Sequence, residues 1–334
     1  MAALQRPYAL FVGDARDTLA AKTALGILAW RPDDCVAQVR LDGCKAELDL
    51  PVMTVDEARA AGAATLIVGV ANAGGFIPPA WSRTLVAAVE AGFDVASGLH
   101  DRLSTVQPLR EAAQAAGRRL IDVRHPEREF SVGSGAPRSG RRLLTVGTDC
   151  SVGKMYASLA IERALRRRGV DADFRATGQT GIFIAGDGVC VDAVVADFIS
   201  GATEWLTPAA SPTHWDIIEG QGSLFHPSFA GVSLGLLHGA QAEALVLCHE
   251  PHRPHMRGVP GYRLPELAQC RDANETAARL THPDARCIGV AVNTSRLSAG
   301  DAQAYCRHVT DTLGLPCVDP MRDGVEALVD AMLG

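Results

Sequence analysis

The stretch that decides the fold is RRLLTVGTDCSVGKMYASLAIERALRRRG, residues Arg141 to Gly169. Residues 141–147 form an apolar run of strand length. Residues 154–169 repeat apolar side chains at helical spacing, with Arg166, Arg167 and Arg168 in the last turn and Gly169 placed to cap it. Between them, Gly147, Thr148, Asp149, Cys150, Ser151, Val152, Gly153 and Lys154 follow the phosphate-loop pattern G-x-x-x-x-G-K-[ST] up to its final letter, which here is Met155. Strand, glycine loop and helix in that order bring successive backbone N–H groups and a helix N-terminus onto one anion, and Lys154 adds a point charge. The hydroxyl that the pattern places last ligates Mg²⁺ beside a nucleotide's terminal phosphates, and a thioether is a poor ligand for that hard cation. The loop therefore reads as a phosphate holder whose work does not require magnesium at residue 155.

Around this core the same grammar repeats. DADFRAT, WDIIEG, ALVLCHE and CIGVAVN are further strands of the second half, each ending in polar or glycine residues. In the first half YALFVGD, DDCVAQVR, ATLIVGV, FDVASGL and RLIDVR read as buried strands, separated by segments of helical period such as AAKTALGILAW and SRTLVAAVEAG. Such alternation predicts parallel sheets flanked by helices. HPEREFSVGSGAPRSGRR, from His125 to Arg142, has neither period and is rich in Gly, Ser, Pro and Arg. The reading is an α/β protein with a Rossmann-like parallel-sheet domain over 1–130, a linker over 131–142 and a domain like those of P-loop NTPases over 143–334.

Composition limits the partners. The 334 residues suit two domains, the formal charge is −6 and aromatic residues are scarce, so no nucleic-acid footprint is expected. Nine cysteines, without a C-x-x-C pair or a Cys/His metal spacing, point to reduced thiols in a cytoplasm and to no structural metal. Neither an export signal nor an apolar run of about 20 residues is evident, so a soluble cytoplasmic protein without membrane contact is expected.

Open α/β sheets bind ligands at the carboxyl ends of their strands. DIIEGQGSLFHP delivers Glu219 to such an end, ahead of glycines that admit a ligand to the backbone. Glu219 could ligate a metal, act as a base or cap a loop. His226, beyond Gln221 and Ser223, is a candidate proton acceptor, with His249 after ALVLC a second. Asn293 ends a later strand, where its amide suits an adenine edge or merely closes a turn.

VGTDCSVGKM, RATGQTGI, DIIEGQGSLFHP, VSLGLLHGAQAEALVLCHEP and IGVAVNT together resemble a two-domain phosphate-loop family, long of unknown function, whose characterised members are D-glutamate N-acetyltransferases. The resemblance covers residues 143–320 and extends more weakly over the first domain; the methionine after the loop lysine is a feature of that family. A more distant similarity runs to dethiobiotin synthetase, which keeps the hydroxyl that Met155 replaces. The family resemblance implies acetyl transfer from acetyl-CoA to the amine of an amino acid, with D-glutamate expected as acceptor, in a homo-oligomer. No metal would then be required, because no phosphoryl group moves. It implies a CoA site over residues 147–155 with Asn293, a base among Glu219, His226 and His249, and acceptor contacts from Arg175, Gln179, Gln221, Ser223, Arg253 and Arg257. The distant similarity implies the alternative, an ATP/Mg-dependent carboxylate-amine ligase or small-molecule kinase. A nucleotide-binding regulator without chemistry is a third reading.

Overall fold

A computed structural model describes residues 4–18, 20–72 and 74–334. The elements of the first half are β1 (Tyr8–Gly13), α1 (Lys22–Trp30), β2 (Cys35–Arg40), α2 (Val55–Ala60), β3 (Thr65–Val68), α3 (Pro79–Glu90), β4 (Asp94–Ser97), α4 (Gln107–Ala116) and β5 (Leu120–Asp122). Those of the second are β6 (Arg141–Gly147), α5 (Lys154–Arg167), β7 (Ala172–Arg175), α6 (Gln179–Ala185), α7 (Ile199–Leu206), β8 (Trp215–Ile218), α8 (Ala230–Ala240), β9 (Ala244–His249), α9 (Leu267–Ala278), β10 (Arg286–Val292), α10 (Ala299–Leu313), β11 (Cys317–Val318) and α11 (Glu326–Leu333).

Two compact units result, Met1–Glu127 with Gln179–Ala193, and Arg128–Gly178 with Val194–Gly334. The first holds a parallel sheet in the order β2-β1-β3-β4-β5. Its central strands are apolar on both faces: Leu10, Phe11, Leu66, Ile67 and Val95 are wholly buried, as expected where helices cover both sides of a sheet. Thr54 and Glu57 start α2 with a reciprocal capping box. This unit also takes in α6, whose Thr180 hydroxyl bonds that of Thr23 at 3.3 Å.

The second unit is a parallel sheet in the order β11-β10-β9-β6-β8-β7, so the strand that feeds the glycine loop lies in its middle. Leu143, Val246, Ile217 and Ala157 are among the side chains that join its sheet and helices in one core. Two features differ from the sequence reading. The stretch read as a linker, 131–142, belongs to the second unit: Glu204 of α7 accepts the Ser134 and Gly135 N–H groups at 2.9 and 2.8 Å, and Arg138 donates to the Thr207 and Gly239 carbonyls at 3.0 and 2.8 Å. Its polar composition serves side-chain and backbone bonds to one surface rather than freedom. Gln179–Ala193, read as part of the second domain, packs with the first unit instead.

Candidate active site at the carboxyl edge of the second sheet

The sheet order brings the ends of β6, β8, β9 and β10 side by side, and with them the loop, Glu219, His249 and Asn293. Gly147 leaves β6 with no room for a side chain: a Cβ there would meet Val152 at 3.0 Å and the Lys154 ammonium at 3.2 Å. Ser151 (φ +53°) and Gly153 (φ +104°) turn the chain through left-handed conformations, and Val152 anchors the turn in the core. The backbone N–H groups of Ser151, Val152, Gly153, Lys154 and Met155 have no acceptor among the described residues. They form the concave donor set that binds an anion. The Lys154 ammonium, buried, is held by the Asp149 and Gly222 carbonyls at 2.7 and 2.8 Å, and burial lowers its pKa.

Glu219 stands one strand away, 5 % exposed. Its carboxylate accepts the N–H groups of Thr177 and Gly178 at 3.0 and 3.1 Å, while the Thr177 hydroxyl returns a bond to the Glu219 carbonyl at 2.5 Å. Burial pushes its pKa up to about 7, against the lowering pull of those N–H groups, the Gln221 amide and Lys154. The Gln221 amide also donates to the Thr177 hydroxyl at 3.2 Å. Thr177 and Gly178 were not among the sequence candidates, though their signal lies in RATGQTGI: a Cβ on Gly178 would fall 2.6 Å from the Gln221 amide. Gly220 is equally constrained, since a Cβ would lie 1.7 Å from the Thr145 carbonyl oxygen.

The histidines separate. His226, 1 % exposed, has both ring nitrogens engaged: Nε2 lies 3.0 Å from the Arg257 carbonyl and Nδ1 accepts the Ser228 N–H at 3.1 Å. That pairing leaves no ring lone pair for a substrate proton, so its geometry is that of a loop anchor. His249 keeps Nδ1 on the Thr148 hydroxyl at 2.9 Å and stacks on Tyr305. Burial, with Arg253 and His252 nearby, lowers its pKa to about 4, so it is neutral at physiological pH but weakly basic.

The arginines separate as well. Arg175 bonds Asp216 at 2.5 Å and faces Asp173 at 3.4 Å. Arg253 is saturated: its five N–H groups go to Glu250 twice, to Asp149 at 2.5 Å, and to the Cys150 and Ser151 carbonyls at 2.7 and 2.9 Å. Arg253 has no N–H left for a further carboxylate, whereas Arg175 commits only its Nε–H to a hydrogen bond. Arg257 gives its backbone N–H to Asp149 at 2.8 Å, and its guanidinium has no ion-pair partner among the described residues. Ser223 is buried, its hydroxyl accepting the Phe225 N–H at 3.2 Å. Asn293 lies near Gly153 and closes a turn by accepting the Ser295 N–H at 3.1 Å, leaving its amide nitrogen. Gln179 falls in the first unit, packed on Gly98 with its side-chain oxygen buried and unpartnered among the described residues.

Asp149, Cys150 and His226 place three potential donor atoms within 4.8 Å of one another. Arg253 pairs the Asp149 carboxylate and both His226 ring nitrogens already have hydrogen-bond partners. No helix among the described residues is long and apolar enough to cross a membrane.

A parallel Rossmann-like unit joined to a second unit whose central strand feeds a glycine loop and helix defines a two-domain α/β protein of the phosphate-loop class. The chain belongs to the DUF1611 family: residues 131–329 match its P-loop domain and residues 39–126 its Rossmann-like domain, both described as domains of unknown function. It is 53 % identical over 329 residues to a D-glutamate N-acetyltransferase of Tritonibacter scottomollicae, covering 98 % of this chain and 99 % of that one. A D-glutamate N-acetyltransferase of a Pseudoalteromonas species is 49 % identical over 326 residues, covering 98 % of each. The crystal structure of a DUF1611 family protein from Anabaena variabilis superposes with a TM-score of 0.89 at 32 % identity, over 98 % of this chain and 99 % of that one.

Proposed function

We propose that the chain is an N-acetyltransferase that moves acetyl from acetyl-CoA to the α-amine of D-glutamate. The acyltransferase class and the acceptor rest on relatives of that activity at 53 % and 49 % identity over nearly the whole chain. The observation that carries the chemistry is Glu219, a buried carboxyl group with a pKa of about 7 beside an anion cradle that lacks the magnesium hydroxyl. CoA offers that cradle a pyrophosphate, so the free N–H groups of residues 151–155 and the Lys154 ammonium would hold the donor. Glu219 takes a proton from the acceptor's ammonium group, the freed amine attacks the thioester carbonyl, the C–S bond breaks, and the thiolate leaves and is protonated as free CoA. A carboxylate that titrates near 7 is matched to that task. His249 is the reserve candidate, because its low pKa makes it the weaker acceptor. The Arg257 guanidinium, without an ion-pair partner among the described residues where Arg175 pairs Asp216 and Arg253 is saturated, is the cation for the acceptor's carboxylates.

The test is a panel of D- and L-amino acids with acetyl-CoA, following thiol release and weighing the product. N-acetyl-D-glutamate is expected, formed with a kcat/KM orders of magnitude above that for D-alanine, which leaves the cation unpaired. Thiol release without any N-acetylated product would sink the assignment.

A further inference from the structure

The saturation of Arg253 raises the question of what five bonds from one side chain accomplish beside an anion cradle. We propose that Arg253 is a positioning residue that aims the cradle's N–H groups at the donor's pyrophosphate, an inference that rests on reading the loop as the acetyl-CoA site. A trans peptide unit points its C=O and the following N–H in opposite directions. By drawing the Cys150 carbonyl at 2.7 Å and the Ser151 carbonyl at 2.9 Å to one side, the guanidinium turns the N–H groups of Ser151 and Val152 to the other. Those two N–H groups are among the five that lack an acceptor in the described residues.

The same contact holds Ser151 in its left-handed conformation (φ +53°), which a residue with a Cβ adopts at a cost. The Ser151 carbonyl that Arg253 grips is part of that turn. Asp149 and Glu250 fix the fork from either side, and both are nearly or wholly buried. Arg296 reaches the other Glu250 oxygen at 3.5 Å, and the Arg257 N–H completes the Asp149 carboxylate. Only a planar fork can meet two carbonyls and two carboxylates at once; an ammonium on the same stem supplies a point charge. Arg253 thus acts through the loop and touches neither substrate.

The experiment compares Arg253→Lys with wild type and Lys154→Ala by direct binding of acetyl-CoA and by steady-state kinetics. Arg253→Lys keeps a positive charge beside Asp149 and should weaken acetyl-CoA binding about tenfold or more, while the KM for D-glutamate stays within about twofold. Should that variant fail to fold, Glu250→Gln, which loosens the fork and leaves its bond to Asp149, should weaken acetyl-CoA binding several-fold with D-glutamate again unaffected. Acetyl-CoA affinity within about twofold of wild type, or a rise confined to the KM for D-glutamate, overturns the role. Lys154→Ala separates the two levels. If it binds acetyl-CoA as wild type does, the loop is not the donor site and the underlying reading falls with the inference; if it loses binding while Arg253→Lys keeps it, the inference alone fails.

Discussion

At the residue scale, the roles proposed for Glu219 and Arg257 each have a distinct signature. Glu219→Gln keeps the oxygen that accepts the Thr177 and Gly178 N–H groups and removes the base, so kcat should fall roughly 10²-fold or more with acetyl-CoA binding retained. The wild-type rate should rise through an apparent pKa of about 7, because the proposed base must be ionised to accept a proton. The stability effect has the opposite sense. Between its ordinary 4.5 and its folded value of about 7 the native state binds the extra proton, so the wild type loses stability as pH rises through that window. The melting temperature of Glu219→Gln relative to wild type should therefore increase between about pH 5 and about pH 8, which thermal denaturation at the two values would check. A difference that stays level across that range would mean the carboxyl titrates elsewhere. At Arg257, substitution by alanine should raise the KM for D-glutamate at least about tenfold and leave that for acetyl-CoA unchanged; a variant with both constants unaltered would take the arginine out of the acceptor site.

At the scale of elements, the site depends on how closely strand ends approach the loop. β8 can pass beside β6 and the Lys154 stem only because residue 220 has no side chain: a Cβ would lie 1.7 Å from the Thr145 oxygen and 2.9 Å from Lys154 Cδ. The backbone oxygen cannot step aside as a flexible side chain would. Gly220→Ala should therefore cost about 3 kcal/mol or more and lower both the melting temperature and acetyl-CoA affinity, measured by denaturation and titration. An alanine variant with unchanged melting would mean that β6 and β8 are further apart than described. The glycines of EGQG were legible in the sequence as points of close approach, but not what they approach. That the neighbours are a carbonyl and the phosphate-loop lysine follows from the strand order, in which β8 returns next to β6 after β7 has taken the edge.

At the scale of the whole molecule, the proposed cofactor chemistry of the loop can be tested directly. Acetyl-CoA at about 100 times its Kd should stabilise the native state by about 2.7 kcal/mol, visible as a raised melting temperature. Turnover should persist in EDTA, since Met155 offers no ligand for a magnesium ion and no phosphoryl group is transferred. Strong stimulation by Mg²⁺ together with ATP consumption would instead place the protein with the ligases of dethiobiotin-synthetase type.

Much of this was legible without coordinates. Apolar period alone marked ten of the strands in chain order, from YALFVGD to CIGVAVN, because a parallel strand buried on both faces must be apolar along its length. Glycine, lysine and the flanking strand and helix marked the loop, because an anion cradle needs backbone N–H groups that side chains do not obstruct. Glu219 could be named from its place at a strand end. What sets Glu219 apart from His226, and Arg257 from Arg253, in the proposed reading comes only from tertiary structure. A side chain's availability depends on the partners that fill its hydrogen bonds, and those partners come from distant parts of the chain: Asp149 lies 104 positions from Arg253, and Thr177 lies 42 from Glu219. The polar stretch before β6 shows the same limit, since composition cannot tell a free linker from an arm whose N–H groups and arginines are bound to α7 and its neighbours. Sequence determines which groups can do chemistry; the fold determines which of them are left free to do it.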